Sequence, residues 1–524
     1  MKPTNFRGVE KMKKTIVQKG VYYDSVKLML VTRELKSLDG VEEVAVVMGT
    51  DLNKDTLVRT GLMTPEAEAA SPTDMIVAVS CNTEETANYI FEHLDEMLNA
   101  NVSGENKDAY KPKSVETAVK MQPGSNILAI SIPGSYAKPV AMEGLRNGLH
   151  IMLFSDNVSL EEEKALKTYA QSKDLLVMGP DCGTAIINGV PLCFANTIRK
   201  GDIGIVAASG TGAQEVMTLI HKNGGGVTQV IGTGGRDLKE EIGGITMLQG
   251  LKALGEDEAT KLIVVVSKPP AKAVADKVIS FIRNEIRKPV VINFLGGDYS
   301  SQSDEQIRFV STLEEAALAA LERTGVVQPG YTLAEDHTQM VQQQAEKIRS
   351  TGKYVRGLYS GGTLGYEAVL ALQDRLGGVN SNLTKEKTVT DCFHMDGNAC
   401  VDLGDDQYTV GRAHPMIDST LRAEVFKAEL QNPETAVILL DLVLGYGASR
   451  TPEKDFVEEL AKYRAQHPDE YVAVIVSVCG SKDDPQNYEE IISKLKELDV
   501  IIMPSNLRAV HLAADIIKAL APLS

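Results

Sequence analysis

The chain has 524 residues, 43% hydrophobic and 24% charged, and a formal net charge of -17. That length exceeds what one hydrophobic core supports, so about two to four domains are expected. The acidic balance, the absence of Trp and an aromatic content of 5% argue against nucleic acid as a partner, because phosphate backbones would be repelled and no stacking platform is available.

The opening MKPTNFRGVEKMKK is basic but leads into no continuous apolar run, so no signal peptide is expected. Apolar runs such as 436–440 fall far below the roughly 20 residues a membrane helix needs, so no membrane partner is expected. The six cysteines, Cys81, Cys182, Cys193, Cys392, Cys400 and Cys479, form no CxxC pair, which points to a reduced, cytoplasmic setting. Short β-branched runs then alternate with amphipathic helical patterns. Strands are expected at 15–19, 44–48, 75–80, 126–132, 150–154 and 175–178. Their fully apolar character predicts a parallel sheet buried on both faces. Asp24 is placed to cap one helix, and Ser159 followed by Glu162 has capping-box spacing. The polar, Lys-rich stretch 100–122 reads as an excursion within this first unit rather than a boundary.

A second unit begins at Asp202 with the strand GIVAAS, the turn SGTG and the helix AQEVMTLI, continues through strands near 228–231, 262–266 and 290–294, and closes near Thr324. Residues 326–350 read as a linker with a helix. A third unit opens at Tyr354 with VRGLY, SGGT and LGYEAVLALQ. The two later units read as a repeat. Ser209-Gly210-Thr211 with Glu215 aligns with Gly361-Gly362-Thr363 with Glu367, and STLEEAALAAL from Ser311 aligns with SNLRAVHLAAD from Ser505.

The strand–glycine turn–helix at Ser209, Gly210, Thr211 and Gly212 is the strongest local signal for anion binding. Glycines allow close backbone approach, and a helix start presents free N–H groups and a favourable dipole. The same holds for Gly361, Gly362 and Thr363, so both turns are candidate phosphate sites. No GK[ST] follows either, which excludes a Walker A loop. Arg236 in GTGGRDL is either an anion clamp or a surface Arg paired with Asp237 or Glu240. In DLGDDQYTVGRAHPMID, Arg412 could clamp an anion, His414 could act as acid or base, and Asp405 and Asp406 could hold Mg²⁺. Gly134 and Ser135 in PGSYAK and Asp181 and Cys182 in GPDCG stand at strand ends, where ligands bind in open α/β sheets; they are candidate substrate contacts. Lys268 in SKPPA ends a strand of the second unit and either faces the same site or is a solvated lysine.

These segments resemble the α subunit of succinyl-CoA synthetase and the ADP-forming acyl-CoA synthetases. GPDCG is similar to that family's GPNCPG, GIVAASGTGAQE to its strand–turn–power helix, and GTGGRDL to its GxGGD loop. MGT at Met48, MLFSDNVSLEEE, VMGPDCGT, GGRDL, VSKPPA, GGTLGYEA and DLGDDQYTVGRAHPMID resemble the FdrA family over nearly the whole chain. The resemblance implies an α/β fold: a Rossmann-like CoA-binding-type domain over 1–200, a first flavodoxin-like CoA-ligase domain over 201–325, a linker over 326–352, and a second such domain over 353–524. The family includes a subunit of oxamate carbamoyltransferase, which converts oxalurate and phosphate to oxamate and carbamoyl phosphate in anaerobic allantoin breakdown and needs partner subunits.

The synthetases' phosphohistidine is expected shortly after VVINFLGG, yet no His lies between Lys288 and Val310. No segment resembles an ATP-grasp domain, and the N-terminal loops lack the synthetase pattern for CoA, which leaves CoA open. The expectation is therefore a carbamoyltransferase subunit with bound phosphate and an anionic substrate, with Arg236 and Arg412 balancing charge and His414 moving a proton. The alternatives are an ADP-forming acyl-CoA synthetase subunit and a non-catalytic scaffold. No cofactor is assigned beyond Mg²⁺ at Asp405 and Asp406.

Overall fold

A computed structural model describes residues 12–21, 23, 25–36, 38, 40–99, 112–385, 388–409 and 412–520. The Asp24 cap and residues 100–111 of the Lys-rich stretch lie outside these. Two compact units form, one from residues 1–112 with 406–413, the other from 113–405 with 414–524.

In the first unit, Met12–Gln18, Val41–Met48 and Met75–Cys81 form a three-stranded sheet with Met75–Cys81 in the centre. Both pairings are antiparallel. This corrects the parallel arrangement read from sequence. A run such as MIVAVSC, buried at every position, reports cover on both faces and says nothing of strand direction. Here the cover comes from Ser25–Lys36 and Glu84–Asn99 on one face, through Leu28, Leu35, Ile90 and Leu94, and from the segment of Leu57, Leu62 and Ala67 on the other. The span 1–200 is therefore not one Rossmann-like layer. The chain divides inside the polar stretch read as an excursion, and such a stretch is typical of a boundary.

The second unit contains three sheets. Ile127–Ile130, His150–Leu153 and Val177–Met178 pair in parallel. The helix Leu160–Gln171 flanks them and starts on the expected capping box of Ser159 and Glu162. Ser159→Ala is expected to cost about 1 kcal/mol of stability, read as a lowered midpoint in urea unfolding. The hairpin Thr184–Ile187 and Val190–Cys193 joins the next sheet, so residues placed in the first domain by sequence belong to the following one.

That next sheet has the order Ile307–Phe309, Val290–Phe294, Leu262–Ser267, Lys200–Ala207, Val227–Gly232, then the hairpin. The third has Ile501–Met503, Ala473–Cys479, Thr435–Val443, Tyr354–Tyr359, Ala399–Asp402, then Asn380–Ser381. Setting aside the hairpin of the first copy and the two-residue edge strand Asn380–Ser381 of the second, both orders, counted from the first strand of each copy, read 2-1-3-4-5, the flavodoxin-like doubly wound arrangement. The shared order carries the duplication further than the short sequence matches.

The two copies share one core. Val264, Val291 and Ala320 of the first pack in the same cluster as Leu364, Leu439 and Val510 of the second. The repeated glutamates cross the pseudo-symmetric junction. Glu215, on Gly210–Lys222, accepts the Asn506 N–H at 2.9 Å at the start of Asn506–Leu520. Glu367, on Gly362–Leu376, accepts the Leu313 N–H at 2.8 Å at the start of Leu313–Arg323 and the Asn506 side-chain amide at 2.8 Å. Arg508 Nε bonds Glu314 at 2.8 Å, and these two residues occupy matching places in the aligned helices. Each copy thus supplies a carboxyl group that accepts an amide at the start of the other's last helix.

Candidate functional site

The first strand of each copy ends in a turn that opens a helix, and the two turns meet. Ser209 Oγ and Thr363 Oγ1 share a buried hydrogen bond of 2.7 Å. Ser209 also caps its own helix, accepting the Gly212 N–H at 3.0 Å. The second turn is held from beneath by Asp441, which accepts the Ser360 N–H at 2.9 Å, the Ser360 hydroxyl at 3.1 Å and the Gly361 N–H at 2.8 Å. Asp441 is fully buried in Thr435–Val443, and its charge is matched by Arg422 at 2.5 Å. Arg422 also donates to the Leu358 carbonyl at 2.7 Å.

The predicted phosphate-binding groups therefore divide. The amides of Gly212 and Gly361 are already bonded, to Ser209 and Asp441. Among the described residues, those of Gly210, Thr211, Gly362 and Thr363 have no hydrogen-bond partner and form the free donors of the two helix starts.

Asp402 ends the neighbouring strand and is nine-tenths buried. Its Oδ1 accepts the Gly404 N–H at 2.8 Å. Its Oδ2 stands 2.5 Å from the place a Cβ on Gly362 would take, so this position admits only glycine without displacement. Burial pushes the Asp402 carboxyl up to about 7, against the opposing pull of Lys268. His414 lies on the same side: a Cβ on Gly404 would meet its Nε2 at 2.5 Å and the Ser360 carbonyl at 3.0 Å. Its Nδ1 accepts the Met416 N–H at 3.2 Å, which leaves the proton of the neutral ring on Nε2. Burial lowers the imidazole to about 4, so at neutral pH it is an N–H donor and not a charged acid.

Other predicted residues stand elsewhere. Arg236 pairs with buried Glu163 at 2.9 Å and donates to the Val158 carbonyl at 2.7 Å. It belongs to a structural network in which fully buried Lys167 bonds Glu163 at 2.9 Å and Asp237 at 2.7 Å. Asp237 in turn caps Ile245–Glu256 through the Thr246 and Met247 amides. This corrects both sequence readings of Arg236, as an anion clamp and as a partner of Asp237 or Glu240. Cys182 is buried and its thiol is pushed up to about 12 by burial, which removes a nucleophilic role. Gly134 begins Gly134–Arg146 pressed against the Asp156 carbonyl, Ser135 beside it is exposed, and Asp181 sits at positive φ after Pro180. Arg412 and Asp406 fall in the first unit; the site of the second unit is built without them. Among the described residues no third His, Cys, Asp or Glu side chain joins Asp405 and Asp406 as a metal site. No helix among the described residues is long and apolar enough to cross a membrane.

Three family models match the chain: the AllF heavy metal-associated domain at 11–114, a CoA binding domain at 198–295, and a CoA-ligase at 358–516. The CoA-binding match falls on the seven-stranded sheet, not on the first 200 residues. Twin doubly wound sheets under these models define an acyl-CoA synthetase-like protein. The protein YahF of Escherichia coli K12 is 39% identical over 509 residues, 96% of this chain and 98% of YahF. The chain belongs to the FdrA-like, acyl-CoA synthetase-like family represented by that relative.

The succinate–CoA ligase [ADP-forming] α subunit of Staphylococcus epidermidis is 26% identical over 188 residues, covering 35% of this chain and 60% of that subunit. Similar solved structures include the dinucleotide-forming acetyl-coenzyme A synthetase 1 of Candidatus Korarchaeum cryptofilum, with 16% identity, 80% and 87% coverage of the two chains and a TM-score of 0.31. The ATP citrate lyase of Methanothrix soehngenii gives 12% identity, 79% and 80% coverage and a TM-score of 0.34. The carbamoyltransferase expectation is overturned by the CoA-ligase model and the succinate–CoA ligase relative.

Proposed function

We propose that the chain is a subunit of an acid–thiol ligase of the acyl-CoA synthetase type, and that its paired turns hold the phosphoryl group of an acyl phosphate. The observation that carries this reading is the Ser209–Thr363 hydrogen bond of 2.7 Å, which brings two helix starts with free amides to one place. Helix N-termini facing each other favour a single anion. The thiol sulfur of CoA attacks the acyl carbon, the C–O bond to phosphate breaks, and phosphate leaves with the electron pair. The thiol proton passes to solvent or phosphate. Donors that grip the departing phosphoryl oxygens accelerate this step. His414 contributes an N–H beside the second turn, and Asp402 a carboxyl that exchanges its proton near neutrality.

The test is acyl-CoA formation from a series of short acyl phosphates and CoA, followed by thioester absorbance without nucleotide. The wild-type chain is expected to turn over at least one of them. The double variant S209A/T363V is expected to lose about 100-fold in kcat/KM. Lack of turnover across the series, together with no phosphate binding, would exclude the reading.

A further inference from the structure

Strand Leu262–Ser267 is the third of its copy and lies next to the first. The residue that follows it therefore emerges at the point where the strand order reverses, the usual ligand position in doubly wound sheets. That residue is Lys268. It borders an open cavity of about 340 Å³ whose walls include Gly235, Leu238, Lys239, Ser267 and Pro269. Its ammonium lies 3.5 Å from the place a Cβ on Gly362 would take, on the opposite copy. Lys268 thus spans from the cavity to the second turn. Among the described residues it makes no ion pair within 4.0 Å.

The electrostatics of the turns call for such a group. The Ser360 and Gly361 amides are already bonded to Asp441, and Arg422 is paired with that same carboxylate. Asp402 is buried at its strand end, and its Oδ2 is aimed at Gly362. A helix start offers only about half a unit of positive charge. A doubly charged phosphoryl group beside Asp402 needs a full cation as well.

We propose that Lys268 is the phosphoryl-binding cation of the paired turns, and that the cavity it borders receives the short acyl group of the same acyl phosphate. This rests on the reading of the turns as a phosphoryl site. The volume suits a chain of a few carbons.

The experiment is calorimetric titration of the full chain with inorganic phosphate and, separately, butyryl phosphate. For inorganic phosphate, Lys268→Gln is expected to raise Kd at least about tenfold and Lys268→Arg to stay within about threefold, since a charged donor is what is lost. Gly235→Trp has room for its first carbon, with the nearest atom 3.9 Å away. It is expected to leave inorganic phosphate affinity within about threefold and to weaken butyryl phosphate about tenfold, because an indole fills the cavity. If wild type binds phosphate and Lys268→Gln binds it equally well, the inference about Lys268 fails while the reading of the turns stands. If Gly235→Trp weakens both ligands alike or neither, the acyl assignment fails. If wild type binds no phosphate, the reading of the turns falls and this inference with it.

Discussion

Glu367→Ala is expected to destabilise the second unit by about 3–5 kcal/mol at pH 5 to 6, because it strands partners at a buried junction. The Leu313 amide and the Asn506 side-chain amide both lose their acceptor, and no solvent reaches them. The pH dependence has a definite sign. Burial raises the Glu367 carboxyl from 4.5 to about 7. The folded state therefore holds its proton more tightly than the unfolded chain. The stability linked to this group is complete below about pH 4.5 and is lost as pH rises through 7. Alanine has no such dependence, so the gap between wild type and variant should narrow from pH 5 to pH 8. Chemical denaturation at the two pH values measures it. A gap that widens would show that Glu367 is held ionised by its two donors.

Asp441→Ala is expected to affect stability and the proposed reaction together. It removes three bonds from the second turn and leaves Arg422 buried without its carboxylate. Breaking a buried pair from one side costs about 3–5 kcal/mol. The Ser360 and Gly361 amides lose their fixed direction, and with them the Thr363 hydroxyl that meets Ser209. A fall in kcat/KM of about 100-fold is expected, since displacements near 1 Å have such effects on positioned sites. Asp441→Asn retains a carbonyl acceptor and is expected to recover part of the fold but not the ion pair. Steady-state kinetics and thermal unfolding of both variants separate the two contributions. Full activity in Asp441→Ala would remove the second turn from the site.

Legibility in the sequence followed the locality of the signal. The capping box at Ser159 and Glu162 involves four consecutive residues and was readable as written. The two glycine turns were readable because each is continuous in the chain, and their repeat placed them at equivalent strand ends. What they touch was not readable, since Asp441 approaches the second turn from a strand some 80 residues away. One cue existed: an acidic residue amid the apolar run of TAVILLDLV, buried at every position, demands a partner. Arg236 misled in the opposite direction. Its glycine-rich surroundings resemble an anion loop, but its partner Glu163 is on a helix far upstream. The first unit shows a different limit. An apolar run records how thoroughly a strand is covered, while direction is set by connections that a single strand does not encode.

The exchange of helix caps between the two copies ties their histories together. Once the ancestral unit doubled, neither half could lose its glutamate without leaving a buried amide at the start of the other's terminal helix unbonded. Mutational drift in one half is thereby policed by the other, and the outer surfaces are freer to diverge than the seam. Severing the connecting peptide would produce two fragments, each lacking a piece the other carries, so that assembly and folding become the same event.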